Sequence, residues 1–568
     1  MKISWEYHVC LLSTLFNLNS IVTNTLRISR VNKYLYDSKG DRFYIKGIAF
    51  HKAGNQNTPS ADEKRRGGSQ ELADSSDPIL DLSTCQQAIK RFKELNINTI
   101  RIFSYNAPKD HSPCMNALEK AGIYVIADIS LPNEGSINQN APSWDVSLLS
   151  KYITQIDSLR RFPNLLAFNI GNEIITNENK IAVAPYIKAA ARDVKRYLKA
   201  VKSSALVAYA SIDGAKLPAF LAQYVSCDVV EEGLDLFGLN NYRWCGNSDF
   251  KSAYEEVHQQ FKDLQIAAYF SEFGCIDVKP RVWTEVNAIF SEPMSDTWSG
   301  GSAFSYFPTS EGYGILDPSL GNKLEVTPDF ENLAAQYRKA KGPNTPRMAD
   351  IKKASKNPCF AGSPNSFTMP IILPPEPNVD ACNCVEEKAF SCQVRPDASP
   401  AVMDELLGVS CSILSEPAKL GATKTCNSLA SNPAKGTYGI LSACNLVTKL
   451  NYAMTLNYLN KDFNKQACDF GGNATVKDSG PIKSSGEVDE IAQKCFLTFA
   501  ENGLARNNQF YGRGAKVATI NGTDLQNSIT GTSKRSSKSH SSKDSVNLVI
   551  LGFCLNLLFI AQTFQQEK

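Results

Sequence analysis

Two glutamates stand out as residues that could do chemistry. Glu173 closes the stretch LLAFNIGNE (165–173), and Glu272 lies in AAYFSEFG (267–274), 99 positions further on. Each ends an apolar run rich in Leu, Ile, Phe and Ala, the pattern of a strand covered on both faces in a parallel sheet. The C-terminal ends of such strands are where α/β barrels carry their reactive groups. Two carboxyls on separate strands are what glycoside chemistry needs: one protonates the leaving oxygen, and the other attacks the anomeric carbon or activates water. A single Glu in such a place more often caps a strand or pairs with an arginine. Two of them, each with a long apolar run before it, favour chemistry.

The elements needed to position them are legible. Apolar, β-branched-rich segments recur at 43–50, 97–103, 124–129, 165–170, 205–212, 236–242, 267–273 and 300–307. Between them lie helical patterns, clearest in TCQQAIKRFKELN (84–96) and APYIKAAARDVKRYLKAVK (184–202), apolar at i, i+3 and i+4. Eight strands alternating with helices predict a (β/α)8 barrel spanning 27–340. A doubly wound open sheet is the alternative, but the Gly-rich phosphate loop it would carry after its first strand is missing.

The 568 residues leave room for a second unit, and a net charge of +3 gives no reason to expect nucleic acid. Sixteen cysteines point to an oxidising, secretory compartment. Zinc does not explain them, because the five histidines are not in ligand spacing and paired CxxC motifs are absent. No metal or organic cofactor is implied. Residues 1–23 read as a signal peptide, and 341–378, rich in Pro, Asn and Lys, as a linker. Residues 379–500 hold eight cysteines, an even number, and read as a small disulfide-stapled module. A spacer at 501–545, Ser/Lys-rich towards its end, precedes a short apolar tail (546–568), the layout of a GPI-attachment signal; a single-pass anchor is the alternative. Asn473 and Asn521 open N-x-T glycosylation sites.

The motifs GNE (171–173), APYIKAAARD (184–193), FGLNNYRWCG (237–246), SEFGC (271–275) and YGIL (313–316) resemble the fungal β-1,3-glucanosyltransferases of glycoside hydrolase family 72. The tail module, with Cys382-Asn-Cys384, GTYG (436–439) and CDFGGNA (468–474), is similar to the X8 carbohydrate-binding domain of family 43. This resemblance implies a wall enzyme at the cell surface, GPI-anchored to the bilayer, with β-1,3-glucan as both donor and acceptor. It makes Glu173 the acid/base and Glu272 the nucleophile of a retaining double displacement, with carboxyls about 5–5.5 Å apart. It places Asn172 on the substrate 2-hydroxyl, and Phe103, Asp128, Asn138, Asp213, Tyr242, Phe304, Tyr306 and Tyr313 in the substrate cleft. It also implies the pairings Cys85–Cys114, Cys227–Cys359 and Cys245–Cys275.

The chain departs from the family pattern in a few places. Phe50-His51 stands where Tyr-Gln is usual, and Phe103 and Phe304 stand where tyrosines are usual. Each lost hydroxyl removes a hydrogen bond worth about 0.5–1.5 kcal/mol. The segment 57–77 is long and charged for a loop at a barrel mouth. Both glutamates remain, so the expectation is an active transglycosylase. The alternatives are a hydrolase-leaning endo-β-1,3-glucanase and a weakly active glucan-binding wall protein.

Overall fold

The computed structural model describes residues 26–52, 77–131, 135–317, 324–359, 369–415, 426–477, 482 and 484–500. The expected signal peptide, most of the charged 57–77 segment, Asn521, the spacer and the apolar tail lie outside the described residues. No helix among the described residues is long and apolar enough to cross a membrane.

Eight parallel strands close into a barrel: β1 (Ile45–Ala49), β2 (Thr99–Ile102), β3 (Tyr124–Asp128), β4 (Leu165–Asn172), β5 (Leu206–Ile212), β6 (Leu236–Asn240), β7 (Ala267–Phe273) and β8 (Trp298–Ala303). Neighbours run in sequence order, and β8 pairs back onto β1 with Gly300 opposite Ile45. Every segment read as a strand from its apolar run is one. The last begins two residues earlier than expected and ends at Ala303, so Phe304–Phe307 lie beyond the ladder.

The clearest outer helices are amphipathic because only one of their faces is covered by the barrel. In α1 (Leu82–Leu95), Cys85, Ala88, Ile89, Phe92 and Leu95 form the buried stripe. Asp81 caps its start by accepting from the Thr84 amide, and Asn96 ends it in the left-handed region at φ 58°. α2 (Ser112–Lys120), α3 (Val146–Leu159), α4 (Ala184–Ala200), α5 (Leu217–Ser226), α6 (Glu255–Phe261), α7 (Glu285–Ile289) and α8 (Pro328–Lys339) continue the outer layer. One core lies between strands and helices. A second fills the lower barrel, where Ile45, Ile126, Leu166, Leu236 and Tyr269 meet Ile28 and Leu35 of an N-terminal hairpin (Ser29–Val31 with Tyr34–Tyr36). With the bottom closed by apolar packing, the polar residues of the barrel interior collect at the top.

Residues 341–378, expected as a linker, are bound to the barrel in both described parts. Arg42 and Tyr36 donate to the carbonyls of Thr345 and Pro346, and Lys356–Asn357 pair antiparallel with Asp228–Val229. Further on, Tyr224 donates to the Pro370 carbonyl, Arg192 to that of Pro374, and Arg196 pairs with Glu376 at 2.7 Å. Proline and asparagine keep this segment out of regular structure, but its free carbonyls remain good acceptors for barrel side chains.

The C-terminal unit holds α9 (Val379–Ala389), α10 (Pro400–Ser415), α11 (Leu446–Asn460) and α12 (Ser485–Ala500), with α11 buried at its centre. Disulfides 382–444, 384–495, 392–468 and 411–426 join these elements. The unit rests on the barrel at the start of α3, where the Val146 amide donates to the Ala443 carbonyl and Val146 enters the module's own apolar core. Asn473 sits half-buried in this unit, its carboxamide donating to the Phe470 carbonyl.

Candidate active site

β4 and β7 bring Glu173 and Glu272 into one hydrogen-bonded cluster at the top of the barrel. Asn240, the last residue of β6, donates through Nδ2 to Glu173 Oε1 at 2.7 Å and to Asn172 Oδ1 at 3.2 Å. Its own Oδ1 accepts from Ser271 Oγ at 2.7 Å, which fixes which way the carboxamide points. Asn172 Oδ1 also accepts from Arg101 Nη2 at 2.9 Å, and Arg101 Nη1 reaches Glu272 Oε1 at 3.2 Å. The other oxygen, Glu272 Oε2, accepts from the Tyr242 hydroxyl at 2.8 Å. Glu173 has φ 52°, a left-handed conformation that costs a non-glycine residue energy and that recurs at functional sites.

The organiser of this cluster is Arg101, the fully buried third residue of β2. Its guanidinium grips both oxygens of Asp128, at 3.1 and 2.8 Å, while Asn169 donates to Asp128 Oδ2 at 2.8 Å. The Phe103 ring lies 4.2 Å from the guanidinium carbon. Burial pushes the Glu272 carboxyl up to about 7, against the opposing effects of the Arg101 charge and the Tyr242 hydrogen bond. Burial likewise pushes the Tyr242 phenol well above its usual range, reinforced by the Glu272 charge, so Tyr242 remains a donor. Tyr242→Phe removes one of the two groups that favour the ionised carboxylate. The acid limb of the kcat/KM profile is therefore expected to move about 1–2 pH units upward. A pH–rate profile of the variant checks this; an unmoved limb would mean that Glu272 does not govern it.

Above the carboxyls the rim is aromatic. Phe304 packs edge-on against Tyr313, Tyr242 and Phe103, with centroids 5.1, 6.3 and 6.2 Å apart. His51, half-buried, lies 5.3 Å from the Phe103 ring. Phe50, by contrast, is fully buried against Phe92, Tyr306 and Phe307. A hydroxyl there would meet protein, not substrate.

The structure does not bring every expected residue to the pair. Tyr306 is 2% exposed, packed on Phe50 and Phe92 behind the strands, with its hydroxyl facing Arg91 of α1. It leaves the cleft because the chain exits the ladder at Ala303. The Asn138 carboxamide accepts from the amides of Asn140 and Ala141, closing a turn on an exposed loop. Both oxygens of Asp213 are bound by Arg243, at 2.5 and 3.0 Å, and Asn241 adds a further bond. Asp128 is spent on Arg101 and Asn169 and is 2% exposed. Conversely, Arg101, Asn169, Asn240 and Ser271 were not singled out from sequence. Their signal was present as polar residues inside apolar strand runs, where an unpaired charge would be costly.

Disulfides 85–114, 227–359 and 245–275 are formed. Cys245, Cys275 and Asp277 lie within 4.8 Å of one another, but both sulfurs are committed to the disulfide and cannot ligate a metal.

Residues 18–341 match the glucanosyltransferase family, glycoside hydrolase family 72, and residues 390–475 match the X8 domain. A 1,3-beta-glucanosyltransferase of Arthroderma benhamiae is 34% identical over 456 residues, 79% of each chain. The 1,3-beta-glucanosyltransferase gas1 of Schizosaccharomyces pombe is 34% identical over 78% of this chain and 77% of its own. Among solved structures, Saccharomyces cerevisiae Gas2p in complex with laminaritetraose and laminaripentaose superposes with a TM-score of 0.68 at 30% identity, covering 83% of this chain and 99% of that one. With the closed barrel and its paired glutamates, these likenesses place the chain in the glucanosyltransferase family, glycoside hydrolase family 72, with an X8 domain behind the barrel.

Proposed function

We propose that this protein is a cell-wall β-1,3-glucanosyltransferase that cleaves an internal β-1,3-glucan linkage and passes the new end to another β-1,3-glucan. The observation that carries the reading is the shared cluster: Glu173 and Glu272 joined through Asn240, Asn172 and Arg101 at the ends of β4 and β7. Glu272, held by Arg101 and Tyr242, attacks the anomeric carbon and forms a glycosyl-enzyme while Glu173 protonates the departing glucan oxygen. Glu173 then removes the proton from the incoming 3-hydroxyl, and the acceptor displaces Glu272 with net retention. Asn172, whose Oδ1 accepts from Arg101 and Asn240, bonds the donor 2-hydroxyl in this reading. The aromatic rim of Phe103, Tyr242, Phe304 and Tyr313 offers faces on which sugar rings stack in preference to water.

Incubation with a reduced β-1,3-glucan oligomer tests this, with products sized by mass. Products longer than the donor are expected. Only shorter ones would make the protein a hydrolase, a reading favoured by the hydroxyls missing from Phe103 and Phe304. The division of labour has its own test. With an activated aryl β-1,3-glucoside donor, whose leaving group departs without protonation, Glu173→Ala is expected to lose at least about 10²-fold in turnover of the glycosyl-enzyme and to regain part of it with azide, which needs no deprotonation, giving the β-azide. An α-azide, or no rescue, would reassign the two roles. The spacer and short apolar tail support release to the cell surface on a GPI anchor, with glycans on Asn473 and Asn521.

A further inference from the structure

Lys188 is a buried cation that the glucan chemistry does not use. It lies on α4, is 5% exposed, and points its Nζ at Cys227 Sγ, 3.1 Å away, with the Tyr224 ring 5.0 Å to one side. The nearby carboxylate, Asp228, is paired with Lys356 at 3.4 Å. Cys227 is 2% exposed, whereas its disulfide partner Cys359 is half-buried at the end of residues 341–359, a strap along the barrel. Other described disulfide sulfurs with a polar neighbour face a different environment. Cys85 meets the Cys114 carbonyl, Cys392 the Cys468 carbonyl, and Cys245 the Tyr242 carbonyl and the Asp277 carboxylate at 3.8 Å. Carbonyls and carboxylates oppose a thiolate, and an ammonium favours one.

We propose that Cys227–Cys359 is a thiol-exchange site: an external thiolate attacks Sγ of Cys359, the less buried of the two cysteines, and Cys227 leaves as a thiolate held by the Lys188 ammonium. The new bond joins the external sulfur to Cys359, and the Cys227–Cys359 bond breaks. The electron pair stays on Cys227 without needing a proton, and no net oxidation occurs. The exchange partner is a small or protein-borne thiol. The reaction leaves a folded chain, because the strap is also held by its strand pairing to Asp228–Val229 and by Asn357 donating to the carbonyls of Ser226 and Gln265. The product is a chain carrying a mixed disulfide at Cys359, on the segment that leads into the C-terminal module.

Burial lowers the Lys188 ammonium to about 8, so it is charged at acidic and neutral pH. The ionisable groups around it are Asp228, paired with Lys356, the Tyr224 phenol, and Arg192 one turn along α4, paired with Asp193. None of these supplies a second cation in contact with Cys227.

The test treats the full chain with glutathione at pH 6.5, traps thiols by alkylation and maps peptides by mass. Glutathione is expected on Cys359 and free thiol on Cys227. Lys188→Met is expected to slow this exchange roughly tenfold, and Lys188→Arg to retain it, with exchange at Cys411–Cys426 unchanged in both. Because Lys188→Met places an uncharged chain in a packed site, a second measurement uses the native protein alone. The ratio of the 227–359 rate to the 411–426 rate cancels ionisation of the attacking thiol, and it is expected to fall as pH rises through about 8. Glutathione on Cys227, an unaltered rate in a folded Lys188→Met variant, or a ratio flat through that range would overturn the proposal.

Discussion

Glu272→Gln is expected to lower kcat/KM for glucan transfer by at least about 10³-fold while leaving the fold intact. A carboxamide is too weak a nucleophile to form the glycosyl-enzyme. It matches the carboxylate in shape, so Arg101 can still donate to its oxygen, and the Tyr242 hydroxyl can turn to accept from its amide. The same variant reports on the electrostatics of the site. Glu272 is raised from an ordinary 4.5 to about 7 by burial, so the folded protein binds that proton more tightly than the unfolded chain does. Its contribution to stability is fully present below pH about 4.5 and is lost as pH rises through about 7, a difference of about 3 kcal/mol. Glutamine has no such slope. The Tm of Glu272→Gln, compared with that of the native protein, is therefore expected to gain steadily between pH 4 and pH 8. A gap independent of pH would contradict a buried, destabilised carboxylate; full activity would remove Glu272 from the mechanism.

Arg101→Met is expected to be the most damaging change outside the glutamates. The fully buried guanidinium holds Asp128 with two bonds, Asn172 with one and Glu272 with one. Removing it leaves the Asp128 carboxylate with Asn169 alone and takes away the charge that favours ionised Glu272. Breaking a buried pair from one side costs roughly 3–5 kcal/mol, and activity at neutral pH is expected to fall at least about 10²-fold. The acid limb of the rate profile moves upward as well. Lysine is no remedy, because one ammonium cannot reproduce a planar fork that reaches acceptors on three side chains. The informative companion is Arg101→Met with Asp128→Asn. It removes the stranded charge, so denaturant unfolding is expected to show part of the stability returned, while activity stays low. If the double variant is no more stable than the single one, the ion pair with Asp128 is not what Arg101 contributes to the fold.

The fold was legible because its signals are local. Strands covered on both faces must be apolar along their length, and helices covered on one face must be apolar every third or fourth residue, so eight runs and their intervening stripes spelled a barrel. The glutamates were legible for a related reason: each is a charge at the end of a run that otherwise admits none. That residues 341–378 lie bonded along the barrel was not legible, because composition reports what a backbone cannot form, not what its carbonyls can accept. Tyr306 misled for the opposite reason: ring type was read, but not the point at which the strand ends.

By itself the sequence determined the eight strands, the two carboxyls at the ends of β4 and β7, and the even cysteine complement of the module. Only the tertiary structure decided which polar groups meet. Arg101, Asp128, Asn172, Asn240 and Glu272 come from five strands, and closing the barrel is what brings their side chains within hydrogen-bonding distance. Lys188 and Cys227 come together in the same way, through the packing of α4 against the end of α5. Local pattern fixes what a strand or helix is, because each residue's neighbours in the chain set it. A pKa, an ion pair or a nucleophile's orientation depends on neighbours distant in sequence, and those exist only once the chain has closed on itself.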